Sequence, residues 1–567
     1  MKKQIVMSLA AAMMTTVMAN ADDATAAVTQ EVTQTQQTES NAELLKKVEK
    51  LEKTLKKLKK KVSKINAHDA NDNIKWSADF RTALDQLTYT AASGKEYKNS
   101  SLLSNRLWLN MAYAPSSNMI FKGQLSFNKA YGAAPTNPVT GFPQRGYGYD
   151  TFDWVLNENL LDDKLRVKEA YWLYMSDSLF GSQVNWTASF GRRPSTDGFL
   201  ISLREGDKPK SPLGHVINVE FDGASFKFGL DKVTGVNGMS FKLCVGRGLT
   251  NARARFNMDG GFSSLGDYTK DGTTVKDVDL AGFIFVPYDD GQYKVMTTYY
   301  RGFNVPGFVM ADPNMLNPNA KNMGMLGLAD TNGNKVPDTM VLNPSLSMVN
   351  VGDQDGAAIS VLVDGIGDGI NDFLDGTKFF ASFAWSKTKP DNAYNTLNTQ
   401  ALMQQMQQAG GLENMMMQMA GLTPEQQQGM MQQLTKKEGM LGSNDDETGT
   451  SYWVGVNMPV MFTDDGTFGL EYNHGSKYWR PFTYAEDTMI GSKMAVRGDA
   501  IEAYYIQPLM KGFSAEIRYT KLNYDYTGSQ GFFGAGGAPL SMDEAKAMGM
   551  DPIEEAQDIR VSLRYKF

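Results

Sequence analysis

The sequence predicts an all-β fold: a 16-stranded antiparallel transmembrane β-barrel preceded by a short α-helical coiled coil. Three observations predict it. From residue 74 to the end, segments of roughly ten residues alternate apolar with polar side chains, as strands with one face in lipid do. The connectors between these segments alternate long and short. The last segment runs to the C-terminus and ends on an aromatic residue, Phe567.

At the N-terminus, Lys2-Lys3, an apolar run from Ile5 to Met18 and Ala19-Asn20-Ala21 read as a signal peptide over residues 1–21. The run is shorter than the roughly 20 apolar residues that a membrane-crossing helix needs. Residues 22–42, rich in Thr, Gln and Ala, read as a flexible linker. In 43–65, Leu44, Val48, Leu51, Leu55, Leu58, Val62 and Ile65 recur at alternating spacings of four and three, the seam of a periplasmic coiled coil. About three heptads are marginal alone, so the helix needs chains gathered by something else; mixed Val and Leu at its a positions leave dimer and trimer open, and a homotrimer is expected of the barrel. Ten lysines against three glutamates give this segment a charge of +7. That charge suits an anionic envelope partner such as peptidoglycan or lipid headgroups. A signal peptide removes the chain from nucleic acid.

Residues 66–567 are expected to form the barrel. Strands are read near 74–84, 103–114, 119–128, 165–175, 184–192, 216–230, 239–248, 278–287, 292–301, 356–364, 377–387, 451–461, 467–478, 500–508, 513–523 and 558–567. That makes 16, within a range of 16–18 strands. Every odd connector is long and every even one short, as in an outer-membrane barrel with external loops and short periplasmic turns. In 216–230 the apolar positions switch from odd (Ile217, Val219, Phe221) to even (Phe226, Phe228, Leu230). A β-bulge at Asp222-Gly223 is the expected cause.

In the final strand Val561, Leu563, Tyr565 and Phe567 alternate with Arg560, Ser562, Arg564 and Lys566. This resembles the signal by which outer-membrane barrels are recognised for assembly, and implies the barrel-assembly machinery as a partner. Signal peptide, coil, barrel and terminal Phe together resemble porins of Gram-negative bacteria. Phe190-Gly191-Arg192-Arg193-Pro194-Ser195-Thr196-Asp197-Gly198 looks like the strand-to-loop signature of a porin-like epsilonproteobacterial family of unknown function. The resemblance implies an outer-membrane protein and carries no established activity; that it is no enzyme is expected from the absence of a Ser/His/acid spacing.

If the apolar face meets outer-membrane lipid, the other face lines the lumen. Fifteen basic positions against six acidic ones then point inward, among them Arg106, Lys122, Arg166, Lys168, Arg518, Arg560 and Arg564. A basic wall favours anions, unless acidic loops fold in and neutralise it. Glu169 falls on the lipid face in this register, which suggests that strand 165–175 is read one residue off. The expected function is a passive diffusion channel for small hydrophilic solutes with anion preference. The alternative is an envelope-anchoring protein that grips the cell wall through its Lys-rich coil.

Other chemistry is sparse. One cysteine in 567 residues excludes a disulfide scaffold and a Cys-rich metal site. His68, His215 and His474 form no Ser/His/acid spacing. Asp364, Asp368, Asp372 and Asp375 are spaced around glycines, hard oxygen ligands that suit Ca²⁺; an Asp/Gly turn explains them as well. The segment 388–450 carries nine methionines among many glutamines. Thioethers bind Cu(I), but two or three short helices packed over or into the barrel mouth are expected, broken at Gly410-Gly411 and Pro424.

Overall fold

The computed structural model describes residues 74–133, 160, 164–193, 196–210, 212–252, 268–270, 276–309, 322–323, 326–329, 339–342, 347–391, 394–397, 399–483, 486–529, 538–547 and 550–567. The expected signal peptide, linker and coiled coil lie outside the described residues. Sixteen strands make one closed barrel, each hydrogen-bonded to its sequence neighbour and the last to the first. They are β1 Lys75–Ala91, β2 Glu96–Ser116, β3 Met119–Ala130, β4 Arg166–Ser176, β5 Asn185–Arg193, β6 Phe221–Gly229, β7 Ser240–Leu249 and β8 Val278–Asp289. There follow β9 Tyr293–Val309, β10 Ser347–Asp364, β11 Lys378–Pro390, β12 Thr448–Pro459, β13 Thr467–Gly475, β14 Gly498–Met510, β15 Phe513–Tyr524 and β16 Ile553–Lys566. All pairings are antiparallel, and β1 closes on β16 through Arg81↔Arg564 and Asp85↔Arg560. No described helix is long and apolar enough to cross a membrane; the strands do the crossing.

The exterior explains the period-two pattern. Trp76, Phe80, Trp172, Phe190, Phe379, Phe383 and Ile517 are exposed on the outer wall, an apolar area too large for a water-facing surface. Val561, Leu563, Tyr565 and Phe567 lie on the same outer face.

Three expectations are corrected. First, the connector after β1 is only 92–95, because β1 and β2 stay paired as strands through most of the expected loop, as far as Thr90↔Glu96. Second, 216–230 is no bulged strand. The strand begins at Phe221, while Ile217 and Val219 belong to a loop inside the barrel, each at most 2% exposed. Third, the irregularity lies in β4: its register against β3 shifts between Val167 and Glu169. That turns Glu169 inward, buried against Lys210.

Two long connectors enter the lumen. L3 (residues 194–220) carries Phe199, Leu200, Ile201, Leu213, Val216, Ile217 and Val219; L7 (residues 476–497) carries Trp479, Phe482 and Met494. All are buried against inward side chains of β8–β12, including Ile284, Tyr300, Leu362, Phe380 and Trp453. The loops also grip each other: Phe482 N–H donates to Val216 C=O at 3.0 Å. L7 runs so close to β12 that a Cβ at Gly449 would collide with the Trp479 backbone.

In 388–450, three helices form: α1 Thr399–Ala409, α2 Leu412–Ala420 and α3 Pro424–Gln433. Gly410-Gly411 separates the first two, whereas Pro424 opens α3, where its missing N–H costs nothing. Met415 and Met419 are buried and Met417 is exposed. This segment's contribution to the lumenal core is Met440. Among the described residues, the apolar filling of the lumen comes from L3 and L7.

Candidate functional site: the charged interior

The apolar half of the lumen seats the two loops; the opposite half is charged. Inward positions of β1, β2, β15 and β16 present Arg81, Arg106, Arg518, Arg560 and Arg564, all buried. Strand acids meet some of them: Arg560 Nε donates to Asp85 at 2.6 Å and Arg564 Nε to Asp79 at 2.8 Å. The loops supply the rest. Asp487 of L7 pairs with Arg81 and lies 3.3 Å from both Arg106 and Arg560. Glu205 and Asp207 of L3 accept from Arg564 at 2.6 and 2.9 Å. Burial pushes the Asp487 carboxyl up, but Arg81, Arg560 and Arg106 outweigh it and hold the group well below the usual carboxylate range.

A second cluster joins both loops to β13 and β14. Arg204, on the helical turn Ile201–Arg204, donates to Glu486 of L7 at 2.8 Å and to Glu502 of β14 at 2.9 Å. Lys493 of L7 donates to Glu471 of β13 at 2.7 Å and pairs with Glu502. Each of these side chains is at most 3% exposed. Breaking such a pair strands a buried charge.

His215 of L3 lies in a hydrogen-bond chain that crosses the wall. Ser360 Oγ donates to Ser382 at 2.8 Å, and Ser451 Oγ donates to Asn473 at 3.0 Å. Between them the ring accepts at Nδ1 from Ser382 (2.7 Å) and donates from Nε2 to Ser451 (2.9 Å), the roles that satisfy every hydroxyl. Burial lowers the imidazole to about 3. With no exposure, no carboxylate partner and no proton to gain near neutrality, this histidine anchors L3.

The lumenal candidates fall as follows. Arg106, Lys168, Arg518, Arg560 and Arg564 are buried on the inner face; Lys122 lines a cavity. Arg166 pairs in register with inward Ser126. The expected net positive wall is partly neutralised: Asp85, Glu169 and Asp558 also face in, and the loops bring Glu205, Asp207, Glu486 and Asp487 along with Arg204, Lys210 and Lys493. Sequence reasoning missed these loop acids. Arg204-Glu205-Gly206-Asp207 directly after Phe199-Leu200-Ile201-Ser202-Leu203 was the available signal: a run that apolar does not belong in an external loop.

The four aspartates proposed for Ca²⁺ are not brought to one point. Asp364 is paired with Lys378 at 2.8 Å, Asp375 accepts from Gly369 N–H at 2.8 Å, and Asp372 opens a helical turn capped by Asn371. Among the described residues one group has converging ligand atoms: His474, Asp499 and Asp525, within 4.8 Å of one another.

Residues 96–567 match the family described as Protein of unknown function (DUF3373). Among curated proteins none matches the sequence. Solved structures similar in fold include OmpT, an outer membrane protein of Vibrio cholerae in trimer form. It is 10% identical with a TM-score of 0.36, over 88% of this chain and 100% of that one. OmpF of Salmonella typhi in complex with daunomycin is 9% identical with a TM-score of 0.38, over 88% and 99%. OprB of Pseudomonas putida is 10% identical with a TM-score of 0.40, over 89% and 96%.

Proposed function

This chain belongs to the DUF3373 family, and we propose that it is an outer-membrane porin: a passive, anion-preferring channel for small hydrophilic solutes, assembled as a homotrimer. The observation that carries the reading is the part of the lumen that the loops leave open. On the β1–β7 side the interior keeps a cavity of about 570 Å³ lined by Lys75, Lys122, Lys208, Lys210, Lys242 and Arg193. The arginine ladder on β1, β2, β15 and β16 adds little net charge, since Asp79, Asp85, Glu205 and Asp487 answer it. Anion preference is thus assigned to the lysines of β1, β3 and β7 and of L3. Basic rings set selectivity through the field in a narrow, low-dielectric passage.

Reconstituted in a planar bilayer under a KCl gradient, the protein is expected to show a reversal potential of the sign set by chloride. A potassium-selective sign would remove the anion reading.

The filled half of the lumen favours one rival, an envelope anchor with a sealed pore that uses the Lys-rich 43–65 segment on the cell wall. Deleting 22–65 discriminates. The porin keeps its conductance and leaves cell-wall attachment unaltered; the anchor never conducts and loses attachment.

A further inference from the structure

Around the loops acids and bases meet in the two clusters described above; the cavity beside L3 is different. Six cations line the 570 Å³ cavity between L3 and the short-turn ends of β1–β3, against one lining carboxylate, Glu169. Glu169 is already taken by Lys210. Burial works against the Lys210 ammonium, but Glu169 and Asp197 outweigh it and raise its titration above the ordinary lysine value, so that pair is closed. Among the described residues no carboxylate lies in ion-pair range of Lys75, Lys122 or Lys208. Beside the cavity, Lys227 of β6 sits directly opposite Lys242 of β7. Like charges opposite one another destabilise a sheet.

Lys75, Lys122 and Lys208 are exposed to solvent, which hydrates their charge, but six cations against one carboxylate still give the cavity a positive field that suits an anion. The volume falls within the roughly 300–1,000 Å³ of small-molecule sites. Five of the six lining cations are lysine. It is a mobile point charge rather than a planar fork, so it suits clustered anionic oxygens of varied geometry. We propose that this cavity binds small solutes carrying two or more closely spaced anionic groups, and that these are the solute class the channel passes. The role in transport rests on the porin reading; the binding does not.

The shared chemistry is a multiply charged oxyanion, and two probes separate its sources: citrate for polycarboxylates and tripolyphosphate for phosphates. Acetate serves as the singly charged control. Calorimetric titration of the detergent-solubilised full-length protein at low salt is expected to give at least one multivalent probe about tenfold tighter than acetate. Lys122→Gln with Lys208→Gln is expected to remove that advantage. Lys294→Gln, whose lysine pairs with Asp289 at 2.9 Å, is expected to leave it unchanged. Equal binding of acetate and both probes, or full binding by the double variant, overturns the proposal. The titration needs no current. A silent barrel that binds citrate therefore overturns the porin reading alone, and an anion-selective barrel that binds neither probe overturns this one alone.

Discussion

His215 is neutral because its surroundings leave no place for a second proton: Ser382 already donates to Nδ1. An imidazole in the unfolded chain titrates near 6.5 and the buried ring at about 3. Below pH 6.5 the unfolded chain takes up a proton that the folded one refuses. The contribution of His215 is thus complete above 6.5. It weakens by about 1.4 kcal/mol per pH unit on the way down to the folded value. Amide-exchange protection of residues 213–217 is expected to be flat from pH 8 to 6.5 and to fall below, with His215→Gln abolishing the slope. Protection that falls equally in that variant would assign the effect elsewhere. Lys493 gives the complementary case. Lys493→Met leaves Glu471 and Glu502 buried beside Arg204 alone, and a loss of about 3–5 kcal/mol is expected. A lowered unfolding midpoint in detergent checks it.

At the scale of elements, the strands were legible because lipid on one side and a polar lumen on the other impose a strict period of two. The infolded loops were not, because their burial depends on partners from strands far away in sequence. One trace of them was present. Phe283-Ile284-Phe285-Val286, Val361-Leu362-Val363 and Phe379-Phe380 are apolar on both faces. A strand apolar on both faces is covered on both, so something had to fill the lumen beside β8–β11. The bulge read at Asp222-Gly223 failed for the same reason: Ile217 and Val219 are apolar because they face the other loop's side of the core. Replacing 476–497 by a short turn is expected to raise conductance several-fold, whereas removing α1–α3 (399–433) is expected to change it by less than about twofold. The reverse result would return the constriction to the Met/Gln helices.

At the scale of the molecule, the net charge of −7 was a poor guide until sorted by position. Even then it overstated the wall's charge, because it could not foresee that Glu205, Asp207, Glu486 and Asp487 would be folded against it. The strand count survived, and so did the alternation of connector lengths everywhere but after β1, since both follow from the membrane rather than from any contact between side chains. The candidate site was legible only in its strand half: Lys122 and Lys242 could be read inward by parity, Lys208 and Lys210 could not.

The β1–β16 seam has a consequence in time. Asp79 and Arg564 meet across 485 residues of chain, and Arg564 and Lys566 are also the partners of Glu205 and Asp207. L3 is therefore synthesised hundreds of residues before the cations that hold its acidic end. Until the last strand arrives and the cylinder shuts, Glu205 has Arg106 and Arg204 at longer range, Asp207 lacks both of its cations, and the plug cannot take its final seat. The order in which the ribosome delivers the chain makes sealing the interior the closing act of assembly.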